Sequence, residues 1–165
     1  MRNLIKKYRG FTLVELLLYM GLLAMFLVVL SELFISIMDV ALSSSATSNL
    51  AQDSRFILAR FSYDVTRAQA ITIPAGLGQT SNSLRLIIGG VQYDYSLNGT
   101  NLQLVTGVNT DNLNGSDTQV SNLSFTKIGN PPGKPTVKIT FTIASHAQES
   151  KGYETQTFTT TIGTR

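Results

Sequence analysis

From Phe11 the chain is apolar for more than a full bilayer crossing, and from Leu16 to Leu30 it carries no charged residue. About 20 apolar residues suffice for a spanning helix at 1.5 Å per residue. Residues 11–42 therefore read as a membrane-length helix. Glu32 and Asp39 make its second part less oily, which sets the most apolar span at residues 11–31. Ser43-Ser44-Ser45 follows, and serine competes with the helix through local hydrogen bonds, so a bend or fraying is expected there. Asn49 to Ala70 reads as an amphipathic continuation. Leu50, Ile57, Phe61, Val65 and Ala68 recur on one helical face. Asp53, Arg60, Asp64 and Arg67 fall largely elsewhere, with Asp64 in reach of Arg60 or Arg67. Pro74, Gly76 and Gly78 end the helix.

Beyond residue 70 the period changes to two. Leu84–Ile88 and Val91–Leu97 flank Gly89-Gly90, a tight-turn signal. Asn98-Gly99 predicts a type I′ hairpin into Leu102–Val105. Val120–Lys127 is a further strand. Val137, Ile139, Phe141 and Ile143 alternate with Lys138, Thr140 and Thr142, and Thr155–Ile162 pairs with them across a loop at residues 145–154. The fold class expected is α+β, a long N-terminal hydrophobic helix packed on a C-terminal antiparallel β-sheet. The division expected is a leader at 1–10, a transmembrane helix at 11–42, its amphipathic continuation at 43–70 and a β-rich domain at 71–165.

Charge changes the picture only at the head. The whole chain has a formal charge of +3. Arg2, Lys6, Lys7 and Arg9 stand before Gly10 with no acid among them; without them nine basic side chains face ten acidic ones. The basic balance is thus a property of the head and gives no reason to expect nucleic-acid binding. There is no cysteine, so no disulfide, and the one histidine, His146, falls in the polar loop. A catalytic triad or a His-ligated zinc site lacks its parts, and no enzyme activity, metal or cofactor is expected. The oxygen-rich stretch 109–117 fails the EF-hand spacing, with Leu113 at the fifth position, and reads as a solvated loop.

Three readings compete for the head. A single-pass anchor, with basic residues on the cytoplasmic side, would hold an extracytoplasmic binding or sensor domain. A secretory signal cut near Ser44-Ser45-Ala46 would need an apolar core of about 7–15 residues, which this run exceeds. Neither accounts for Glu15, an acid set near the start of the apolar run. A lone acid costs about 2.5–3.5 kcal/mol at a bilayer centre and less near the interface. The helix dipole returns only about 0.3–1 kcal/mol, so the carboxylate calls for a positive partner.

The order Lys6-Lys7-Tyr8-Arg9-Gly10, then Phe11-Thr12-Leu13-Val14-Glu15-Leu16-Leu17-Leu18, resembles the leader of type IV prepilins and type II secretion pseudopilins. The resemblance implies cleavage between Gly10 and Phe11 by a membrane-embedded prepilin peptidase, then N-methylation of Phe11. It implies that Glu15 docks on the terminal amine of a neighbouring subunit. The implied partners are that peptidase, other pilins or pseudopilins through the N-terminal helix, the inner-membrane assembly platform and the lipid bilayer. The implied location is the bacterial inner membrane, with the C-terminal domain extracytoplasmic, and then a filament. Gln52–Ala68 is similar to the helix of J-type pseudopilins and W-type minor pilins. Many major pilins close a loop with a disulfide, and several carry a helix-breaking proline where Glu32 stands here. The first departure points to a minor pilin or pseudopilin, and the second argues against local melting of the helix during filament assembly.

Overall fold

The computed structural model describes residues 10–129, 133–149 and 152–165. The basic head residues Arg2, Lys6, Lys7 and Arg9 lie outside them. Among the described residues one helix, α1 (Leu13–Arg67), precedes nine strands. The chain divides into two compact units, one ending at Ala41 and one spanning Leu42–Arg165.

In the first unit α1 is built from Leu, Met, Val, Ile and Phe, without proline. Its large apolar side chains are exposed all the way from Phe11 to Val40. A helix apolar on every side is a membrane span or a segment awaiting partners. By length and composition α1 is apolar enough to cross a bilayer.

The second unit begins with α1 still helical through Ser43, Ser44 and Ser45, so the expected fraying is absent. Ala46 and Leu50 are buried just beyond, and packing outweighs the small serine penalty. The predicted buried face holds: Leu50, Ile57, Phe61, Val65 and Ala68 all lie in the core. α1 stops at Arg67, three residues before the expected end. The Gln69 amide donates to Ile87 O at 2.8 Å, and Ala70 opens a strand instead.

The strands are β1 (Ala70–Ile73), β2 (Thr80–Ser81), β3 (Leu84–Ile88), β4 (Val91–Asn98), β5 (Asn101–Thr106), β6 (Asn109–Asn112), β7 (Thr118–Ile128), β8 (Thr136–Glu149) and β9 (Gly152–Gly163). They form two antiparallel sheets rather than one, in the orders β1-β3-β4-β5-β6 and β2-β7-β8-β9. The fold is α+β, with this part of the helix and the inner faces of both sheets around one core. Leu84, Leu86, Tyr95, Leu102 and Leu104 come from the first sheet, and Phe125, Val137, Ile139, Phe141 and Ile143 from the second. Phe61 sits among them, its ring centroid 4.9 Å from Tyr95, 5.6 Å from Phe125 and 6.3 Å from Phe141.

One turn holds and two local expectations shift. The tight turn expected at Gly89-Gly90 is present, with positive φ at both residues, the type I′ pattern. At the next hairpin Asn98 pairs with Asn101, so the turn residues are Gly99-Thr100. Only Gly99 has positive φ there, which is the type II′ pattern. The loop expected at 145–154 is largely strand, because β8 and β9 continue as a hairpin to Glu149 and from Gly152. His146 therefore lies in β8, exposed, its amide donating to Asp117 O at 2.8 Å.

Asp64 is the larger correction. It is buried, at 1 % exposure, rather than turned away from the core. Its Oδ2 accepts from Arg60 Nε at 2.7 Å and from the Tyr95 hydroxyl. Burial pushes the Tyr95 hydroxyl well above the usual tyrosine range, and the bond to Asp64 adds to it. Arg67 instead lies over the Tyr63 ring, 4.5 Å from its centroid.

Candidate processing and docking site

Gly10, Phe11 and Glu15, all singled out at the head, lie at the start of α1. Thr12 is the N-cap. Its Oγ1 accepts the Glu15 amide at 3.2 Å, and its carbonyl accepts the Leu16 amide at 3.1 Å, the first helical bond. The spacing Thr12-x-x-Glu15 is that of a capping box, so the helix start is written in the sequence.

Gly10 and Phe11 precede the helix and are exposed. A Cβ at Gly10 would meet nothing within 4 Å. The Gly10–Phe11 peptide is thus open, outside helical hydrogen bonding, and next to a fixed helix start. A protease needs such a bond, since a helical peptide must first be unwound.

Glu15 is half-buried, against its exposed neighbours. Its Oε1 accepts the Tyr19 hydroxyl at 3.4 Å, and the Tyr19 ring meets the Phe11 ring edge-on at 5.8 Å. Among the described residues no basic side chain pairs with it. Gly10, Phe11, Thr12 and Glu15 line one shallow open hollow. The carboxylate stands within a turn of Phe11, whose backbone nitrogen becomes a cationic amine if the preceding bond is cut.

The stretch 109–117 is not the solvated loop expected. Asn109–Asn112 forms β6, and Leu113 and Asn114 are buried. Asn114 Oδ1 accepts the Leu102 amide at 2.8 Å, and its Nδ2 donates to Thr118 O at 2.8 Å. Asp53 on α1 accepts the Gly115 amide at 2.8 Å and the Thr118 hydroxyl. These oxygens are occupied in holding the stretch to α1 and the sheets. Among the described residues there is no group of three or more His, Cys, Asp and Glu placed to hold a metal ion.

Residues 5–31 match the family described as the prokaryotic N-terminal methylation motif. No curated protein and no solved structure matches the chain. The motif and the long apolar helix ahead of antiparallel sheets support the pilin and pseudopilin family and a type IV pilin-like precursor. That family is structural rather than enzymatic. The motif implies processing by prepilin peptidase and assembly with other pilins, and with the apolar helix it fits an inner-membrane-anchored pilin.

Proposed function

We propose that this chain is the precursor of a minor pilin or pseudopilin, a structural subunit of a type II secretion pseudopilus or a type IV pilus-like filament. Prepilin peptidase cuts it after Gly10 and methylates the new amine of Phe11. The basic residues Arg2, Lys6, Lys7 and Arg9 hold the leader on the cytoplasmic face, and the domain from Leu42 onward is exported. In the filament Glu15 receives the methylated amine of a neighbouring subunit. Neither charge is favourable alone in so poorly solvated a place, and together they set the register of one helix on the next. The exposed apolar side chains of α1 pass from lipid to neighbouring helices. The subtype proposed is a J-type pseudopilin or W-type minor pilin, on the pattern of Gln52–Ala68.

The observation that carries this reading is the methylation-motif match over residues 5–31, which covers the open Gly10–Phe11 bond and Glu15. The test is the intact mass of the protein extracted from membranes of cells expressing its own peptidase. A chain beginning at Phe11 with one added methyl group is expected. An intact Met1 head would replace the reading with a membrane-anchored binding domain, and a product beginning near Thr47 with a secreted one.

A further inference from the structure

β2 runs beside β7 for only two residues, Thr80 against Thr126 and Ser81 against Phe125. The chain then leaves that sheet and enters β3 of the other at Leu84. The earlier part of β7 is tied at Val120, whose amide donates to Thr100 O at 2.8 Å. Between these two ties the sheets part, and a cleft of about 950 Å³ opens beside Asn122, Leu123 and Ser124. That volume lies within the range of about 300–1,000 Å³ found for ligand sites.

The cleft has one kind of chemistry. Its lining is serine, threonine and asparagine with two leucines, and no charged side chain. Leu123 is buried and Leu97 half-buried, which makes an apolar floor. Ser96 and Ser124 are half-buried and Asn82 is exposed. Among the described residues the side chains of these three make no hydrogen bond, whereas Asn114 and Asp53 nearby in the same unit are fully engaged. An ionised ligand would lose water here with no opposite charge to meet it. A wholly apolar ligand would take water from the hydroxyls and carboxamides and return nothing. The ligand that satisfies both conditions is neutral, with hydroxyl groups around an apolar C–H face.

We propose that this cleft between the sheets binds a neutral oligosaccharide. Its hydroxyls bond to Asn82, Ser96 and Ser124, and the C–H face of one ring lies on Leu97 and Leu123. An extended neutral peptide, added as a strand beside β7, is the competing occupant, and the backbone opposes it. The register of β7 shifts between Ser121 and Ser124. Asn122, with φ of 51°, is the one non-glycine residue of positive φ among the described residues. A left-handed residue turns its N–H and C=O out of the ladder that an added strand needs. The cleft lies wholly within Leu42–Arg165, goes beyond the processing and docking of the head, and uses none of its residues.

The test titrates the full-length chain in lipid nanodiscs with maltotetraose, cellotetraose and chitotetraose. Binding is read by saturation-transfer NMR from protein to sugar protons. The expected result is saturable transfer to at least one of the three, with a dissociation constant of about 1 mM or below. Asn82→Ala combined with Ser124→Ala should weaken it roughly tenfold, with circular dichroism unchanged. Ser96→Leu, which adds bulk from the other sheet, should do the same. Asn109→Ala, at an exposed carboxamide on β6, should leave binding as it was. A tetramer of galacturonic acid, with a carboxylate on every ring, should show no saturable transfer. Absence of transfer to all three neutral sugars would overturn the proposal. So would binding that the cleft variants leave intact, equal binding of the galacturonate, or saturable transfer to a neutral Ser-Thr-Val peptide and to no sugar.

Discussion

At the scale of single residues, Gly10, Thr12 and Glu15 have separable roles. A side chain at Gly10 has free space around it, so Gly10→Val should leave the fold unchanged by circular dichroism. Uncleaved precursor in the intact-mass measurement is the expected outcome, because the added bulk is met by the peptidase and not by the chain. Thr12→Ala removes the cap, worth about 1 kcal/mol. Amide exchange at Glu15 should then quicken about fivefold in lipid nanodiscs, and Thr12→Ser should restore it. Glu15→Ala should be cleaved normally yet lost from filaments. Removing one partner of a buried charge pair costs about 3–5 kcal/mol, so incorporation measured by co-purification should fall by well over tenfold. Normal incorporation of Glu15→Ala would remove the docking role.

At the scale of elements, α1 meets the first sheet through a polar contact inside an apolar interface. Arg60, Asp64 and Tyr95 lie on α1 and β4, and the Asp64 carboxylate receives both partners on one oxygen. The Tyr95 hydroxyl keeps its proton in the folded state to higher pH than in the unfolded chain, because burial and Asp64 both oppose its ionisation. Its folded pKa is raised, so its contribution is fully present below the unfolded value of about 10 and is lost as pH rises beyond it. Denaturant midpoints should therefore decline above about pH 10, and Tyr95→Phe should flatten that decline. The same variant should cost about 1–3 kcal/mol at neutral pH by leaving Asp64 one donor short. The pairing was only half legible in sequence. Helical spacing put Asp64 beside Arg60, but Tyr95 lies 31 residues away, and no local pattern joins them.

At the scale of the whole molecule, Leu42–Arg165 has its own core, and the Phe61 ring touches both sheets in it. Phe61→Ala should cost about 3–5 kcal/mol, read as a lower guanidinium midpoint in the near-UV signal of the full-length protein. A fall under about 1 kcal/mol would mean that the two sheets do not share a core through this ring. Among the described residues the first unit has no such core, and its large apolar side chains are exposed. The single helix α1 thus carries two kinds of sequence, one for lipid or neighbouring helices and one for its own sheets.

The amino-acid pattern determined whatever depends on near neighbours. The apolar span, the core face of α1, the Gly89-Gly90 turn, most of the strands and the order of elements at the head could all be read from spacing. Each is written in a repeat of two, of 3.6, or in a fixed offset along the chain. The tertiary structure decided the rest: the division into two sheets, the helix end at Arg67, the burial of Asp64, the strand that absorbs His146, and the tie from Asp53 to Gly115 and Thr118. These depend on which distant strand supplies a hydrogen bond or a buried partner. Pairing free energy belongs to both partners at once, so no single stretch of sequence contains it.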